Sequence, residues 1–486
     1  MWLRKTLALR SEGSSKMNMN EIVDLMSAEI KQTLLSFEEE HGQSQLTPEL
    51  GALLTQAVKS GVTNAALVGL RESLKSYEET VESIEKDGKT YKFKFESTKS
   101  FMTTFGKVEI SRRLYQNRAT EDTVFPLDVA WGMAGKYLTP DVREACLFGA
   151  GLNTPEEVEA LLKKCALFHP SASTIKRQAI EIQRLLEGRK EALDEEIRQE
   201  EELSGHPDTL VNSLDGTNML LDEPGKKKGR PTERPKDTAS SDRTCYKNAM
   251  VGTVTHYKTE TDDKGRLAPI RLKTSYVAHM PEDRAPTVKR EWEQEIQHAE
   301  AQLTDKTRKL LLLDGSRGLW SYVENNPAFD EYEKAVDFFH VTEHLSLAAE
   351  ALFGKSSTEA KEWYDKNRRR LLESDEAPES IIRSMSYYAD KKRLSKTRQE
   401  QLEAQQTYFQ RNKSRMRYRT LMQKGFPIGN GIVEAGCKSI IKQRFCRSGM
   451  RWSRSGGQAI LDLRVYIRSN RWDPFYSKLQ ELEAAA

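Results

Sequence analysis

The first 200 residues follow a pattern that predicts mostly helices and one β-hairpin. Helical spacing of apolar positions, without runs of β-branched residues, predicts three helices between residues 17 and 90. Residues 90–116 then alternate apolar and polar in TYKFKFES and GKVEISRRLYQ, which indicates a hairpin. Three short helices are predicted over 139–184, because each segment opens with a Ser or Thr cap. A long charged helix is predicted over 176–203.

From residue 208 the pattern alternates between strands and helices. TLVNSLDGTNML, NAMVGTVTHY and RLKTSYVAHM predict three strands, the first ending near Asp215. After a helix, the continuous apolar run of KLLLLDG is typical of a strand buried on both faces. A short helix follows, and KAVDFFH predicts one more strand, which ends at His340. This order predicts an α/β fold, with helices packed on a mixed sheet.

The last third is predicted to be helical. Residues 341–423 are helical and heavily charged, and the turn PIGNG at 427–431 then leads into an amphipathic helix. The apolar stripe of that helix is Val433, Cys437, Ile440, Ile441 and Phe445. The predicted regions are an N-terminal helical region (1–90), a hairpin and helix-turn-helix-like region ending in the long helix (91–205), the first part of an α/β domain (206–340), an all-helical insertion (341–424) and the last part of the domain (425–486).

Composition narrows the class of protein. The chain has 486 residues, of which 37% are hydrophobic and 31% charged, and no segment approaches the roughly 18 apolar residues of a membrane helix. The apolar run at the N-terminus is too short for a secretory signal. The five cysteines form no C-x-x-C pair, which argues against a disulfide framework or structural zinc. We therefore expect a soluble protein of a reducing, cytoplasmic compartment, without a membrane partner.

Charge is concentrated near the C-terminus. Residues 411–454 contain twelve Lys or Arg and one acid, Glu434, a local charge of +11 in a chain whose net charge is only +3. A lone carboxylate in such a cationic segment is a candidate metal ligand beside a polyanion. The alternative is a surface ion pair between Glu434 and Lys438, one helical turn away.

Three acids occupy comparable places in the predicted fold. Asp215 and Asp314 each end a strand, and Glu434 lies on the helix after the insertion. Strands of one sheet bring their ends together, so these carboxylates can converge on a site for hard divalent ions. Taken singly, Asp215 and Asp314 also fit ordinary Asp-Gly turns.

The sequence resembles the DDE transposases of bacterial insertion sequences, most closely those of the ISKra type. The matching stretches are SLDG at 213–216, LLLDGSRGLW at 311–320, DFFHVTEHL at 337–345, GFPIGNGIVEAGCKSIIKQRFCRSGMRWS at 425–453 and NRWDPFY at 470–476. The resemblance covers residues 208–476 well and extends loosely over 90–200. It implies an RNase H-like catalytic domain interrupted by an all-α insertion before the last acid.

The resemblance also implies a mechanism and partners. Asp215, Asp314 and Glu434 match the catalytic triad, which would hold two Mg²⁺ ions, with Mn²⁺ as a substitute. Asp337 and His340 match a Cys/Asp-x-x-His signature that places His340 by the scissile phosphate. The expected activity is metal-dependent cleavage at the ends of the element and transfer of the 3′ ends to target DNA. The expected partners are double-stranded DNA and further copies of the chain on DNA, in the bacterial nucleoid.

Basic residues near the triad are candidate DNA contacts. Phosphate contacts are expected from Lys438, Lys442, Arg444, Arg447 and Arg451, with further candidates at Arg415 and Arg417 and, in the helix-turn-helix-like region, Lys176 and Arg177. Trp452 is a candidate for stacking on an unpaired base, the alternative being packing at the helix end. Residues 139–184 also fit an ordinary helical bundle, and KKKGRP at 226–231 fits either a minor-groove arm or a solvated loop.

Other functions stay open. His340–His344 spells H-x-x-E-H, the inverted zincin pattern, but that motif needs both histidines on one helix, whereas the pattern predicts that His340 ends a strand. A transposase-derived DNA-binding protein that no longer cuts, and an RNase H-like nuclease or resolvase, would share the acids. The segment YQNRATEDTVFPLD at 115–128 has no cysteine, so the zinc ribbon that many relatives carry there is not predicted.

Overall fold

The computed structural model describes residues 18–485, apart from residues 79, 204 and 224–245. The KKKGRP segment lies outside the described residues. Within them, the chain up to Glu181 together with the last residues from Gln480 forms one compact unit, and Ile182–Leu479 forms a second. The fold is mixed α/β, with a sheet in each unit. In the described part of the chain, no helix is both long and apolar enough to cross a membrane.

In the described part of the first unit, two helices precede the sheet where three were predicted. They are α1 (Met19–His41) and α2 (Pro48–Lys75). The second and third predicted helices are one continuous helix, α2, along which Gly61, Ala65 and Gly69 form a buried stripe of small residues. At Gly61 and Gly69, an added Cβ would contact α1 side chains.

The segment SIEK, predicted as the end of a helix, is strand β1 (Ser83–Lys86). The turn after it has positive φ at Asp87 and Gly88. Strands β2 (Lys89–Thr103) and β3 (Gly106–Gln116) confirm the predicted hairpin, and β4 (Thr123–Val124) completes an antiparallel sheet in the order β1-β2-β3-β4 among the described residues.

The helices predicted over 139–184 are confirmed, but the long helix over 176–203 is wrong. The helices after the sheet are α3 (Pro126–Ala130), α4 (Pro140–Leu152), α5 (Pro155–Cys165), α6 (Ala172–Leu186) and α7 (Lys190–Gln199). Gly188 has a φ of 70°, a left-handed conformation that ends α6 before α7 begins.

The sheet of the second unit combines antiparallel and parallel strands. In the described chain its order is β7-β6-β5-β8-β9, with β5, β6 and β7 antiparallel and β5, β8 and β9 parallel. The strands are β5 (Thr209–Leu220), β6 (Tyr246–Thr261), β7 (Leu267–His279), β8 (Arg308–Leu313) and β9 (Glu333–Val336). Two predictions need correction here: β5 does not end near Asp215, and β9 ends at Val336 rather than at His340.

Helices flank this sheet and fill the rest of the unit. Helix α8 (Pro286–Ala301) packs closely on β6, where Gly252 has no side chain and the indole of Trp292 donates to the carbonyl of Thr253 at 3.1 Å. The remaining elements are α9 (Arg317–Glu324), α10 (Phe338–Phe353), α11 (Thr358–Glu373), α12 (Ala377–Lys391), α13 (Lys396–Asn412), α14 (Tyr418–Gln423), α15 (Gly431–Gly436), a π-helical turn (Cys437–Lys442), α16 (Gln443–Phe445), α17 (Arg454–Arg468) and α18 (Trp472–Ala485), with short 3₁₀ turns at Pro327–Phe329 and Lys413–Arg415.

Candidate active site

Three aspartates lie at the same level of three adjacent parallel strands. Asn212 pairs with Leu311, and Asp215 and Asp314 each follow three residues later. Leu313 pairs with Val336, so Asp314 and Asp337 also lie in register, one residue beyond that pair. The backbone N–H of Asp337 donates to the carbonyl of Leu313 at 2.8 Å, which continues the ladder to this level. The sheet itself therefore brings Asp314 close to Asp215, 99 positions earlier in the chain, and to Asp337, 23 positions later.

Asp337 is buried and joins two parts of the site. Its side chain is 0% exposed, and Oδ1 accepts the backbone N–H of His340 at 2.8 Å as the N-cap of α10. The other oxygen, Oδ2, accepts the backbone N–H of Asn430. Since Asn430 immediately precedes α15, this carboxylate holds the start of the helix that carries Glu434. Both of its oxygens are occupied by backbone donors.

Glu434 lies beside the aspartates. Its carboxylate is 4.0 Å from Nδ1 of His340, which in turn is 3.6 Å from Asp337. The ion-pair partner that the structure gives Glu434 is thus His340, not Lys438. One turn later the thiol of Cys437 donates to Oδ2 of Asp215 at 3.6 Å. The helix after the PIGNG turn therefore contacts the acid on β5 as well as the group at the end of β9.

The π-helical turn that follows Glu434 is supported from α17. The buried guanidinium of Arg464 donates to the carbonyl of Ile440 at 2.8 Å and to the carbonyl of Ser439. A π-helical turn shifts the usual hydrogen bonds of a helix, and such turns are frequent at functional sites. Arg464 stabilises this turn because it donates hydrogen bonds to two of its backbone carbonyls.

The acids influence one another electrostatically. Burial is the main cause that raises the pKa of Asp314, and the negative charge of Asp215 raises it further. Burial also raises the pKa of Glu434, with added contributions from Asp337 and Asp215. The nearby Asp337 carboxylate raises the pKa of His340 to about 9, so its imidazole is cationic at neutral pH in the metal-free protein. The site is a cluster of negative charge beside the cationic imidazole of His340.

The donor set fits a hard divalent cation. Asp215, Asp314 and Glu434 offer carboxylate oxygens, the ligands that Mg²⁺ and Mn²⁺ prefer. Burial raises the pKa values of Asp314 and Glu434 most, and their repulsion by neighbouring acids, which a bound cation would relieve, raises them further. Ligand atoms of Asp337, His340 and Glu434 lie within 4.8 Å of one another, but both Asp337 oxygens already accept backbone N–H groups. Asp337 is therefore suited to position the site rather than to ligate the ion.

The H-x-x-E-H motif is helical, which corrects the prediction that His340 ends a strand. His340 and His344 are both on α10, one turn apart. His344, however, stacks on Tyr408 with ring centroids 3.5 Å apart, and its Nδ1 is 2.6 Å from Gln405. Among the described residues, the metal-capable group around His340 includes neither Glu343 nor His344. The arrangement does not form an inverted zincin site.

The candidate DNA contacts fall into three groups by the exposure of their side chains. Those with exposed side chains are Lys176, Arg177, Arg417, Lys438 and Lys442, and those that are partly buried are Arg415, Arg447, Arg451 and Trp452. Arg415 pairs with Glu324 and lies 4.2 Å from the centroid of the Trp320 ring. The third group is Arg444, whose side chain is only 2% exposed and lies over the Trp452 ring. This burial corrects the prediction that Arg444 contacts a phosphate.

Trp452 packs against its own unit. Its ring centroid is 4.5 Å from that of Phe445, and its indole N–H donates to the carbonyl of Phe445 at 3.3 Å. The backbone of Trp452 bonds to Leu220 and Asp222 at the end of β5. These contacts match the packing alternative for Trp452 and leave the ring only partly accessible.

Sequence reasoning missed the residues that α13 brings to the acids. Tyr408 packs against Gly315, directly after Asp314, and Arg411 donates to the carbonyl of Gly315 at 2.9 Å. Neither residue lies in a motif, and the contact joins positions more than 90 residues apart. The one local signal is Gly315 itself, whose missing side chain makes room for the Tyr408 ring.

No protein-family model and no curated protein matches this sequence. Among solved structures, the chain is similar to the Drosophila P element transposase in its strand transfer complex, at 12% sequence identity. That match covers 70% of this chain and 80% of the other, with a TM-score of 0.23. A TM-score of this size establishes neither a shared fold nor a shared activity.

Proposed function

We propose that the chain is a DNA transposase of the DDE class, which cleaves at the ends of an insertion sequence and joins the 3′ ends to target DNA. The observation that carries this proposal is the common register of Asp215 and Asp314 on adjacent parallel strands, with Glu434 held beside them. The mixed sheet and the helices between Asp337 and Asn430 support an RNase H-like domain with an all-α insertion.

Each residue of the site has a proposed role. Asp215, Asp314 and Glu434 are the oxygen ligands of Mg²⁺ or Mn²⁺. Ions held there would supply Lewis-acid activation of a water or a 3′-hydroxyl and would offset charge on the phosphate. His340, cationic beside Asp337, donates a hydrogen bond to an oxygen of the scissile phosphate. Asp337 positions both His340 and the helix of Glu434.

DNA is attracted by the exposed lysines that follow Glu434. Lys438 and Lys442 are both exposed, and they belong to a segment with a large excess of positive charge. Each phosphate contact releases counterions, so binding is expected to weaken steeply as salt rises.

The test is a cleavage and joining assay on DNA taken from the two flanks of the gene, with Mg²⁺ or Mn²⁺. Asp215→Asn, Asp314→Asn and Glu434→Gln are expected to bind this DNA but neither to cut nor to join it. Glu331→Gln, which changes an acid whose side chain is 83% exposed, is the matched control and is expected to behave as wild type. Variants of the triad that still cleave would refute the proposed site.

Wild-type protein has two other informative outcomes. Cleavage without joining would show a nuclease or resolvase on the same acids. Binding to the flanks without cleavage, at any metal concentration, would show a DNA-binding protein that has lost the reaction.

A further inference from the structure

Helix α13 brings a buried phenol to the end of β8, where Asp314 lies. Tyr408 is only 7% exposed, and its hydroxyl oxygen has no hydrogen-bond partner among the described residues. Its ring is fixed by stacking on His344, with an interplanar angle of 19°. A side chain at Gly315 would overlap this ring, and Arg411 ties the same helix to the Gly315 carbonyl.

A buried hydroxyl without a partner destabilises the folded state, so its presence needs a reason. The position of this hydroxyl identifies the group it faces. A Cβ added at Gly315, the residue directly after Asp314, would lie 2.9 Å from the hydroxyl oxygen of Tyr408. The hydroxyl therefore lies beside the end of β8, and after burial the negative charge of Asp314 is the next cause that raises the pKa of Tyr408.

Asp314 is the acceptor with a free oxygen. Both oxygens of Asp337 accept backbone N–H groups. Asp314 uses Oδ1 to accept the backbone N–H of Ser316 at 3.0 Å, and within the described residues its Oδ2 has no donor. The unpaired donor of Tyr408 and the unpaired acceptor of Asp314 are thus neighbours at the end of β8.

We propose that Tyr408 is a positioning residue of the active site, whose hydroxyl donates a hydrogen bond to Oδ2 of Asp314 when that carboxylate turns to hold a divalent cation. This inference rests on the proposed function. Groups that orient a metal ligand typically change metal affinity by about 10- to 100-fold when they are removed. The helical segment would then contribute directly to metal binding.

The chain offers a matched pair of tyrosines for the test. Tyr418 is fully buried, and its hydroxyl donates to the carbonyl of Val336 at 2.9 Å. Tyr408→Phe removes an unpaired hydroxyl beside the acids, whereas Tyr418→Phe removes a paired one that contacts only backbone. The readout is the rise in melting temperature as Mn²⁺ is added to the full chain without DNA.

The two variants are expected to behave in opposite ways. Without metal, Tyr408→Phe should melt no lower than wild type, because an unpaired buried hydroxyl is lost. Its half-maximal shift should require about 10- to 100-fold more Mn²⁺. Tyr418→Phe should melt lower without metal, because a buried carbonyl is left unpaired, but its Mn²⁺ midpoint should equal that of wild type.

Asp314→Asn separates failure of this inference from failure of the proposed function. If wild type responds to Mn²⁺, Asp314→Asn does not, and Tyr408→Phe has the wild-type midpoint, the role of Tyr408 is overturned and the metal site stands. If wild type does not respond, or Asp314→Asn responds as wild type does, the proposed metal site is overturned and the inference falls with it.

Discussion

Replacing Asp337 with Asn tests whether one buried carboxylate assembles the site. Asp337 accepts the backbone N–H groups of His340 and Asn430, one on each oxygen. Asn has one acceptor oxygen, so its amide NH₂ must face the other N–H. The variant loses one hydrogen bond and leaves a buried donor unpaired, which lowers the free energy of unfolding by about 1–3 kcal/mol.

The functional effect should exceed the loss of stability. Asn430 begins the helix of Glu434, so release of its N–H frees that carboxylate to move. A misplacement of about 1 Å in a catalytic group costs on the order of 100-fold in rate. Asp337→Asn is therefore expected to remain folded at 25 °C, to bind DNA and to cleave about 100-fold more slowly than wild type.

His340 provides a second readout in the metal-free protein. Its pKa of about 9 is raised chiefly by Asp337, so the pKa should fall in Asp337→Asn, as measured by NMR of ¹³C-labelled histidine. Because the pKa of His340 is higher in the folded chain than in the unfolded chain, binding of its proton stabilises the folded state. This stabilisation is complete below pH 6.5 and is lost as the pH rises to about 9. That pH dependence of stability should shrink in the variant.

Asp375→Asn is the matched control for loss of a carboxylate that accepts a backbone N–H. Asp375 accepts the backbone N–H and the hydroxyl of Thr420, outside the acid cluster. It should lower stability without slowing cleavage. If Asp337→Asn cleaves at the wild-type rate, or if its stability and the pKa of His340 are unchanged, the positioning role of Asp337 is refuted.

Two further predictions concern buried ionisable groups outside the candidate active site. Arg471, which is 7% exposed, donates to Glu201 and Glu295. Arg471→Met leaves the buried Glu295 with the more distant Arg198, at 3.8 Å, and should lower the free energy of unfolding in urea by at most about 3–5 kcal/mol. Asp262→Asn removes the acidic partner of Arg266 in an ion pair at the surface, and it should change the free energy of unfolding far less. Burial lowers the pKa of His256 from 6.5 to about 4, so the unfolded chain binds this proton more readily than the folded chain does. The free energy of unfolding should therefore fall as the pH drops from about 6.5 to about 4. His256→Gln should weaken that fall in pH-dependent urea unfolding, and an unchanged profile would contradict the reasoning.

The sequence pattern predicted elements whose stability is largely local. The alternation in residues 90–116 and the apolar run KLLLLDG led to the right strands, since each pattern matches the periodicity of its own element. Asp215 was misplaced at a strand end because Asp-Gly usually indicates a turn. In the structure β5 continues to Leu220 because β6 pairs with its whole length, and Gly216 leaves room for Asn248 on that strand.

Other errors came from competing local signals. The aromatic run Phe338–Phe339 favours a strand, whereas Asp337 is a helix cap, and the cap prevails because Asn430 also binds it. Gly188 carried a visible helix-ending signal within a charged segment that otherwise suits one long helix. The contact of Tyr408 with Gly315 could not be predicted, because it depends on packing between segments far apart in the chain.

The shared carboxylate of Asp337 has a consequence for how this chain can vary in length. The helical segment leaves the sheet at Phe338 and returns at Ile428, where the N–H of Phe338 donates to the carbonyl of Ile428 at 3.0 Å. Its two ends are therefore tied together, and closing a longer or shorter segment changes the entropy only with the logarithm of its length. Insertions between α10 and α14 leave the register of the three aspartates intact, whereas one residue added within β8 would turn Asp314 to the opposite face of the sheet. The segment can thus vary in length where Tyr408 keeps its place beside Gly315, whereas the strands beneath it cannot.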